Sequence, residues 1–303
     1  MRGLVAVCLT TTVSTSTDPA REQGLAIVRT VADLRRTVAA FRKAGQTIGL
    51  VPTMGALHEG HVSLVKGALD RGDVPVTSIF VNPTQFGPNE DFAAYPRDEQ
   101  GDFDKLQAAG CRIVFAPTKD EMYPGEQLTS VIVKGVTEGL CGPLRPGHFE
   151  GVATVVSKLL LMAMPDRAFF GEKDYQQLQV IKRMVRDLSM PFEIVGMPTV
   201  READGLAMSS RNRYMNAAER KTATGLYRAL NEVAQAVRGG AACAATTAAA
   251  SQALLAGGFD KVEYLTVVDA ESLAPLERVA PAPARVVAAV RLGRTRLIDN
   301  IAA

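Results

Sequence analysis

The chain has 303 residues, of which 47% are hydrophobic, and its formal net charge at pH 7 is +2. The length suits one large domain or two smaller ones. The near balance of charge argues against nucleic acid as the main partner, because domains that bind a phosphate backbone usually carry an excess of Lys and Arg. No run of residues has the length of a membrane span, and the four cysteines form no C-x-x-C pair, which indicates free thiols in a reducing cytoplasm.

The chain begins with "MRGLVAVCLTTTVSTSTDPAREQG", residues 1–24. The apolar core of this stretch is short, Thr and Ser follow it, and no clear A-x-A cleavage site comes after them, so it does not fit a signal peptide. We expect residues 1–24 to be a disordered extension.

Strand-like and helical patterns then alternate along the chain. The strand-like runs are "TIGLVPT", "VPVTSIFVN", "CRIVFAP", "TSVIVKG", "RAFFGEK" and "FEIVGMP". Helical spacing of apolar residues lies between several of them, at 61–71, 100–109, 151–163 and 175–188. The alternation predicts an α/β fold with a doubly wound parallel sheet over residues 25–199, and ligands at the carboxyl ends of its strands.

The pattern changes after Val200. Two Ala-rich helical stretches broken at "GGAA" are followed by "VEYLTVVD" and "RVVAAVRLGRTRLIDN", the last of which is typical of a β-hairpin around Gly293. We therefore predict a smaller α+β domain over residues 200–303, with the active cleft between the two domains.

The stretch "PTMGALHEGH" places His58 and His61 where a strand turns into a helix. Zinc proteases instead space their histidines at i and i+4, and nothing near this stretch offers a third zinc ligand. The start of a helix has unpaired N–H groups and a partial positive charge, which suit phosphate, and imidazoles add further donors. The stretch favours a nucleotide triphosphate site, although two solvent-facing histidines would explain it equally well if it stood alone.

Three further polar segments follow predicted strands. They are "FVNPTQFGPNEDFAAYPRD" with Asn82 and Gln85, "FFGEKDYQQLQVI" with Lys173, Asp174 and Gln177, and "READGLAMSSRN" with Ser209, Ser210 and Arg211. Each has an ordinary explanation, such as a solvated ion pair or serines that cap a helix. Together they supply cations and hydroxyls for phosphates, amides for a small polar substrate, and carboxylates for a ribose or magnesium.

These four motifs, in this order and spacing, resemble the pantothenate synthetase (pantoate:β-alanine ligase) family of the H-x-G-H nucleotidylyltransferase superfamily, over about Leu25 to Ala303. The resemblance implies a Rossmann-like fold and an ATP-dependent condensation of (R)-pantoate with β-alanine through a pantoyl adenylate, with release of AMP and pyrophosphate. It also implies a homodimer, for which "TSVIVKG" is a candidate edge strand.

The resemblance also implies residue roles. The phosphates of ATP would contact the catalytic residues His58, His61, Lys173, Ser209, Ser210 and Arg211, with Asp174 on the ribose and Gly171, Val200 and Met208 beside the adenine. Pantoate would contact Gln85, Gln177 and Met54, the last of which also borders ATP. Asp102 is the best match for a magnesium ligand. Arg145 and His148 of "RPGHFEGV" would lie close to the pocket, His148 in a structural role.

Two other functions compete with this interpretation. A simple nucleotidylyltransferase would move AMP onto a phosphate-bearing substrate, and it predicts basic residues in the second pocket. A non-catalytic nucleotide-binding module would bind ATP without releasing pyrophosphate.

Overall fold

The structure, a computed structural model, describes residues 24–88, 90–279 and 283–303. The predicted extension, residues 1–24, lies outside this part of the chain apart from Gly24. Among the described residues, no helix is long and apolar enough to cross a membrane.

A six-stranded sheet in the order β1-β4-β3-β2-β5-β6 forms the larger part of the molecule, and every strand pair in it is parallel. The strands are β1 (Ala26–Val28), β2 (Ile48–Thr53), β3 (Val74–Ile79), β4 (Ile113–Phe115), β5 (Arg167–Gly171) and β6 (Glu193–Met197). The predicted parallel sheet is confirmed.

Helices cover both faces of this sheet. They are α1 (Val31–Lys43), α2 (Glu59–Asp70), α3 (Glu99–Ala108), α4 (Lys119–Met122), α5 (His148–Ala163) and α6 (Tyr175–Asp187). Leu50 of β2 packs in the core beneath α1, α5 and α6, whereas its neighbour Val51 packs in the core beneath α2 and α3. Because successive strand residues point to opposite faces, a strand buried on both sides becomes continuously apolar, as "IGLV" is. The doubly wound architecture is thus confirmed.

The prediction of a strand at "TSVIVKG" is wrong. Residues 129–135 have no regular secondary structure and pair with no strand among the described residues. Val131 and Val133 pack against the core, and the N–H of Val131 donates to the Thr154 hydroxyl at 2.9 Å, while Ile132 is 65% exposed. Val131 and Val133 thus face the core and α5 while Ile132 faces outward. This alternation resembles the period-two pattern of a strand.

The C-terminal part consists of α7 (Ala217–Arg238), α8 (Cys243–Ala256) and an antiparallel sheet of β7 (Lys261–Asp269), β8 (Ala284–Leu292) and β9 (Thr295–Ala302). The predicted hairpin is confirmed, since β8 pairs with β9 around Gly293, whose φ is +56°. The two helices and the sheet enclose a separate apolar core, which includes Leu230 and Val286.

Candidate active site

One cleft lies at the carboxyl ends of β2, β5 and β6, where the parallel sheet predicts a ligand. It gathers all of the predicted site residues except Asp102: Met54, His58, His61, Gln85, Gly171, Lys173, Asp174, Gln177, Val200, Met208, Ser209, Ser210 and Arg211. The fold thus brings the four sequence motifs together.

The two histidines of the cleft are held in one tautomer by the backbone. His58 is the N-cap of α2, and its Nδ1 accepts the N–H of Gly60 at 3.1 Å. Nδ1 of His61 in turn accepts the N–H of His58 at 3.3 Å. Because Nδ1 of each neutral ring is an acceptor, the hydrogen lies on Nε2. Both Nε2 atoms are therefore the donors left for a ligand.

Both rings are uncharged at neutral pH. Burial, helped by the charge of Lys173, lowers the pKa of His58 to about 4. Burial and then His58 lower the pKa of His61 to about 3. The ring centroids are 4.2 Å apart, so the pair presents two neutral donors side by side. Among the residues described, no cluster of three or more His, Cys, Asp or Glu has an arrangement suited to a metal ion.

Asp102 is placed differently from the expectation that it binds magnesium. It is 1% exposed and does not line the cleft. Its carboxylate accepts the N–H groups of Ala56 and Leu57 at 2.8 and 2.7 Å. Ala56 has a positive φ of 51°, which is costly for a residue with a side chain. Asp102 therefore stabilises the turn before α2, and its role as a magnesium ligand stays a prediction.

Lys173 and Asp174 follow β5 on a short 3₁₀ turn, Glu172–Asp174. The Lys173 ammonium lies 3.9 Å from the Asp174 carboxylate. Burial acts to raise the pKa of Asp174, but Lys173 and Arg211 outweigh it and hold this pKa below its ordinary value. The turn thus presents one cation and one anion to the cleft at neutral pH.

The Ser-Ser-Arg loop carries contacts that the sequence did not reveal. The Ser210 hydroxyl donates to the carbonyl of Ala56 at 2.9 Å, so its one hydrogen is used to tie this loop to the histidine turn. Arg211 forms a two-pronged ion pair with Asp91, at 2.9 and 2.8 Å. Ser209 accepts the N–H of Arg211 at 3.3 Å. The positive charge of Arg211 is therefore offset by Asp91 in this structure.

Gln85 also lines the cleft, on a 3₁₀ turn, Pro83–Gln85, that Asn82 caps. Asn82 is 1% exposed, and its amide nitrogen donates to Gln85 Oε1 and to the carbonyl of Gly151, both at 3.1 Å. The nitrogen of the Gln85 amide contacts Met54 Sδ at 3.1 Å. The apolar wall beside them comes from Phe80, Val152, Val155, Val156, Leu159 and Phe170. This part of the cleft suits a small substrate that has both polar groups and methyl groups.

His148 and Arg145 contact the backbone of the same turn. The Nδ1 of His148 lies 2.9 Å from the carbonyl of Gln85, and its Nε2 lies 3.0 Å from Arg145. The carbonyl can only accept and the guanidinium can only donate, so the hydrogen of His148 is on Nδ1. Burial lowers the pKa of His148 to about 4, with a smaller effect from Arg145. The structural role predicted for His148 agrees with this geometry.

The sequence of this chain matches a known protein family over most of its length. The model of the family described as pantoate-beta-alanine ligase matches residues 26–302. The chain belongs to this family. A pantothenate synthetase of Paramagnetospirillum magneticum is 58% identical over 275 residues, which cover 91% of this chain and 96% of the relative.

Solved structures of the pantoate-β-alanine ligase family agree with the fold. The pantothenate synthetase of Thermus thermophilus superposes with a TM-score of 0.84 at 48% identity and covers 91% of this chain and 98% of its own. The pantoate-β-alanine ligase of Francisella tularensis, complexed with "Beta-gamma ATP" and β-alanine, has a TM-score of 0.77 at 34% identity and covers 92% of this chain and 97% of its own. The chain is thus a ligase, and the reaction expected from its sequence, the joining of pantoate to β-alanine, is confirmed by its family.

Proposed function

We propose that this cleft joins (R)-pantoate to β-alanine in two half-reactions. In the first, a carboxylate oxygen of pantoate attacks the α-phosphorus of ATP, the bond from that phosphorus to the bridging oxygen breaks, and pyrophosphate leaves. In the second, the amine of β-alanine attacks the carbonyl carbon of pantoyl adenylate, AMP leaves, and the amine loses a proton. The observation that carries the proposal is one cleft that is lined both by cations and neutral hydrogen-bond donors and by amide and apolar side chains.

The cations and neutral donors account for the first half-reaction. The Nε2–H groups of His58 and His61 and the ammonium of Lys173 stabilise charge that develops on the α-phosphate and on the departing pyrophosphate. A preorganised donor of this kind typically contributes about 3–4 kcal/mol to the transition state. Neutral imidazoles suit this role because they donate without a charge that would repel Lys173. Arg211 also binds phosphate when a phosphate oxygen replaces Asp91 as its partner. Ser209 and Ser210 lie next to Arg211 in the same loop.

The amide and apolar side chains account for pantoate. Gln85 and Gln177 bind its hydroxyl and carboxylate oxygens, and Met54 with the valines of α5 packs against its methyl groups. A site built to hydrogen-bond a hydroxyl rejects analogues that lack it, because its buried amides would be left unpaired. A nucleotidylyltransferase acting on a phosphate-bearing substrate would need cations in this part of the cleft.

ATP is bound across the ends of β5 and β6. Asp174 holds the ribose, and Gly171, Val200 and Met208 border the adenine. The ATP and β-alanine complex of the Francisella relative supports these two substrates. Mg²⁺ enters with ATP, and most of its ligands are phosphate oxygens and water.

We also propose roles for the two domains, a homodimer and a cytoplasmic location. Residues 25–199 bind ATP and pantoate, and residues 200–303 close over the cleft. A homodimer forms through the segment 129–135, in which Ile132 is 65% exposed. Cys111, Cys141 and Cys243 are free thiols, which suits the reducing cytoplasm. Sedimentation of wild type and Ile132→Glu tests the dimer, since the substitution should give monomers. An unchanged dimer would exclude this segment as the interface.

A pyrophosphate-release assay tests the reaction. With ATP and pantoate alone, the enzyme should release about one equivalent of pyrophosphate and then slow, and β-alanine should restore turnover. Release with phosphate-bearing acceptors but not with pantoate would favour the simple nucleotidylyltransferase. Binding of ATP without any release would favour the non-catalytic module.

A further inference from the structure

Two consecutive residues of β9, Asp299 and Asn300, hold the two loops that line the nucleotide side of the cleft. The amide nitrogen of Asn300 donates to the carbonyls of Glu172 and Lys173 at 2.9 and 3.0 Å. Asp299 forms a two-pronged ion pair with Arg201 at 2.6 and 2.9 Å. Both residues are almost fully buried, at 3% and 4% exposure. The last strand of the small sheet therefore contacts the Lys173 turn directly.

The amide of Asn300 has only one orientation. Its Oδ1 accepts a hydrogen bond from Arg285, which also binds the Glu172 carboxylate at 2.9 Å. The same guanidinium lies 3.9 Å from the ring centre of Tyr175, which fixes it in place. Because a guanidinium can only donate, the oxygen of the amide must face it. Both amide hydrogens are thereby directed at the two carbonyls of the turn.

Apart from the Asn300 amide and the Arg285–Glu172 ion pair, the Lys173 turn has no side-chain cap among the described residues. No side chain caps either the 3₁₀ turn Glu172–Asp174 or the start of α6 in the described part of the chain. The Lys173 side chain is 20% exposed, and its ammonium lies 3.9 Å from the Asp174 carboxylate. The position of its ammonium therefore depends on the backbone at 172–173, which the Asn300 amide holds.

We propose that Asn300 is a positioning residue that sets the ammonium of Lys173 against the phosphates of ATP. This inference rests on the proposed function, because it assigns Asn300 a part in the adenylate-forming step. Asp299 has a matching role on the other loop. Arg201, its partner, follows Val200 and forms an antiparallel bridge with Ala207, and the N–H of Met208 donates to the carbonyl of Val200 at 3.0 Å. The small domain thus helps to build the nucleotide site as well as cover it.

Asn300→Asp tests this with little change in volume. The new carboxylate can still accept from Arg285, which preserves the fold, but it donates nothing to the two carbonyls. A misplacement of about 1 Å can cost about 100-fold in rate, so kcat for pantoate-dependent pyrophosphate release should fall about 100-fold. The pantoate KM should stay within about twofold of wild type, because the amide side of the cleft is untouched. Asn231→Asp is the matched control, since Asn231 is exposed on α7 and donates to Tyr227 at 2.7 Å.

A double-mutant cycle with Lys173→Ala decides whether Asn300 acts through Lys173. If it does, Asn300→Asp should reduce the rate by less than about twofold once Lys173 is gone. A similar loss in both backgrounds, with an unchanged melting temperature, would overturn the proposal.

Calorimetric binding of a non-hydrolysable ATP analogue supplies a readout that needs no turnover. The analogue should bind about tenfold more weakly to Asn300→Asp, with no further weakening in the Lys173→Ala background. Absence of pantoate-dependent pyrophosphate release from wild type would refute the proposed function alone. Wild-type affinity in Asn300→Asp would refute the positioning role alone.

Discussion

The substitution His58→Asn separates the structural role of His58 from its chemical role. In the structure its Nδ1 caps α2 by accepting the N–H of Gly60 at 3.1 Å, which leaves Nε2 as the donor for phosphate. Asn is among the most favoured N-cap residues, and its Oδ1 replaces the Nδ1 acceptor. The fold should therefore survive, while the donor to the phosphate is lost.

The expected loss of activity follows from the value of one preorganised donor. Removal of such a donor typically costs about 3–4 kcal/mol in the transition state, or roughly 10²–10³-fold in rate. Steady-state pyrophosphate release with ATP, pantoate and β-alanine measures this loss. Urea unfolding at pH 7.5 should give a free energy of unfolding within about 1 kcal/mol of wild type.

The same variant should resist acid better than wild type. Burial lowers the pKa of His58 from 6.5 to about 4, so the unfolded chain takes up a proton near pH 6.5 that the native protein accepts only near pH 4. Stability from the neutral ring is therefore present above pH 6.5 and is lost as the pH falls towards 4. Between pH 7.5 and 5, wild type should lose about 2 kcal/mol more unfolding free energy than His58→Asn. Near-normal pyrophosphate release, or equal acid losses in both proteins, would refute this reasoning.

Three further substitutions test other parts of the site. Gln85→Ala should raise the pantoate KM about tenfold or more and leave the ATP KM unchanged, and equal effects on both would contradict its placement. Gly151→Ala would put a Cβ 2.7 Å from the backbone nitrogen of Gln85, so chemical denaturation should show a loss of about 1–3 kcal/mol together with a raised pantoate KM. Asp102→Asn should leave one N–H of the histidine turn unpaired and cost about 1–3 kcal/mol of stability. The Mg²⁺ dependence of its rate should match that of wild type, and a shifted dependence would support Asp102 as a ligand.

Residues whose role depends on local spacing could be predicted from the sequence. The neighbouring sequence alone places His58 and His61 at a strand-to-helix junction, and in the structure both line the cleft. The roles that were missed depend on distant partners. Ser210 donates to a carbonyl 154 residues away, and Asn300 donates to Lys173 across 127 residues. No local pattern encodes such pairs, because each residue alone is an ordinary loop or strand residue.

The fold was predicted where apolar runs were long and was missed or mistaken elsewhere. The segment 129–135 has strand periodicity, but an irregular segment that packs on a helix produces the same alternation. Strand β1 has only 3 residues, too few for a clear pattern. Helix α1 did carry a signal, since Thr30 caps it and Leu34, Val38 and Phe41 recur at helical spacing on its buried face. That helix could have been identified from its sequence.

The most direct test of the central claim is the exchange of radiolabelled pyrophosphate into ATP without β-alanine. If ATP and pantoate meet in one cleft and form a reversible mixed anhydride, label should enter ATP only when pantoate is present, and the Lys173→Ala variant should lose this exchange. Exchange at the same rate with and without pantoate, or exchange that begins only when β-alanine is added, would contradict the account.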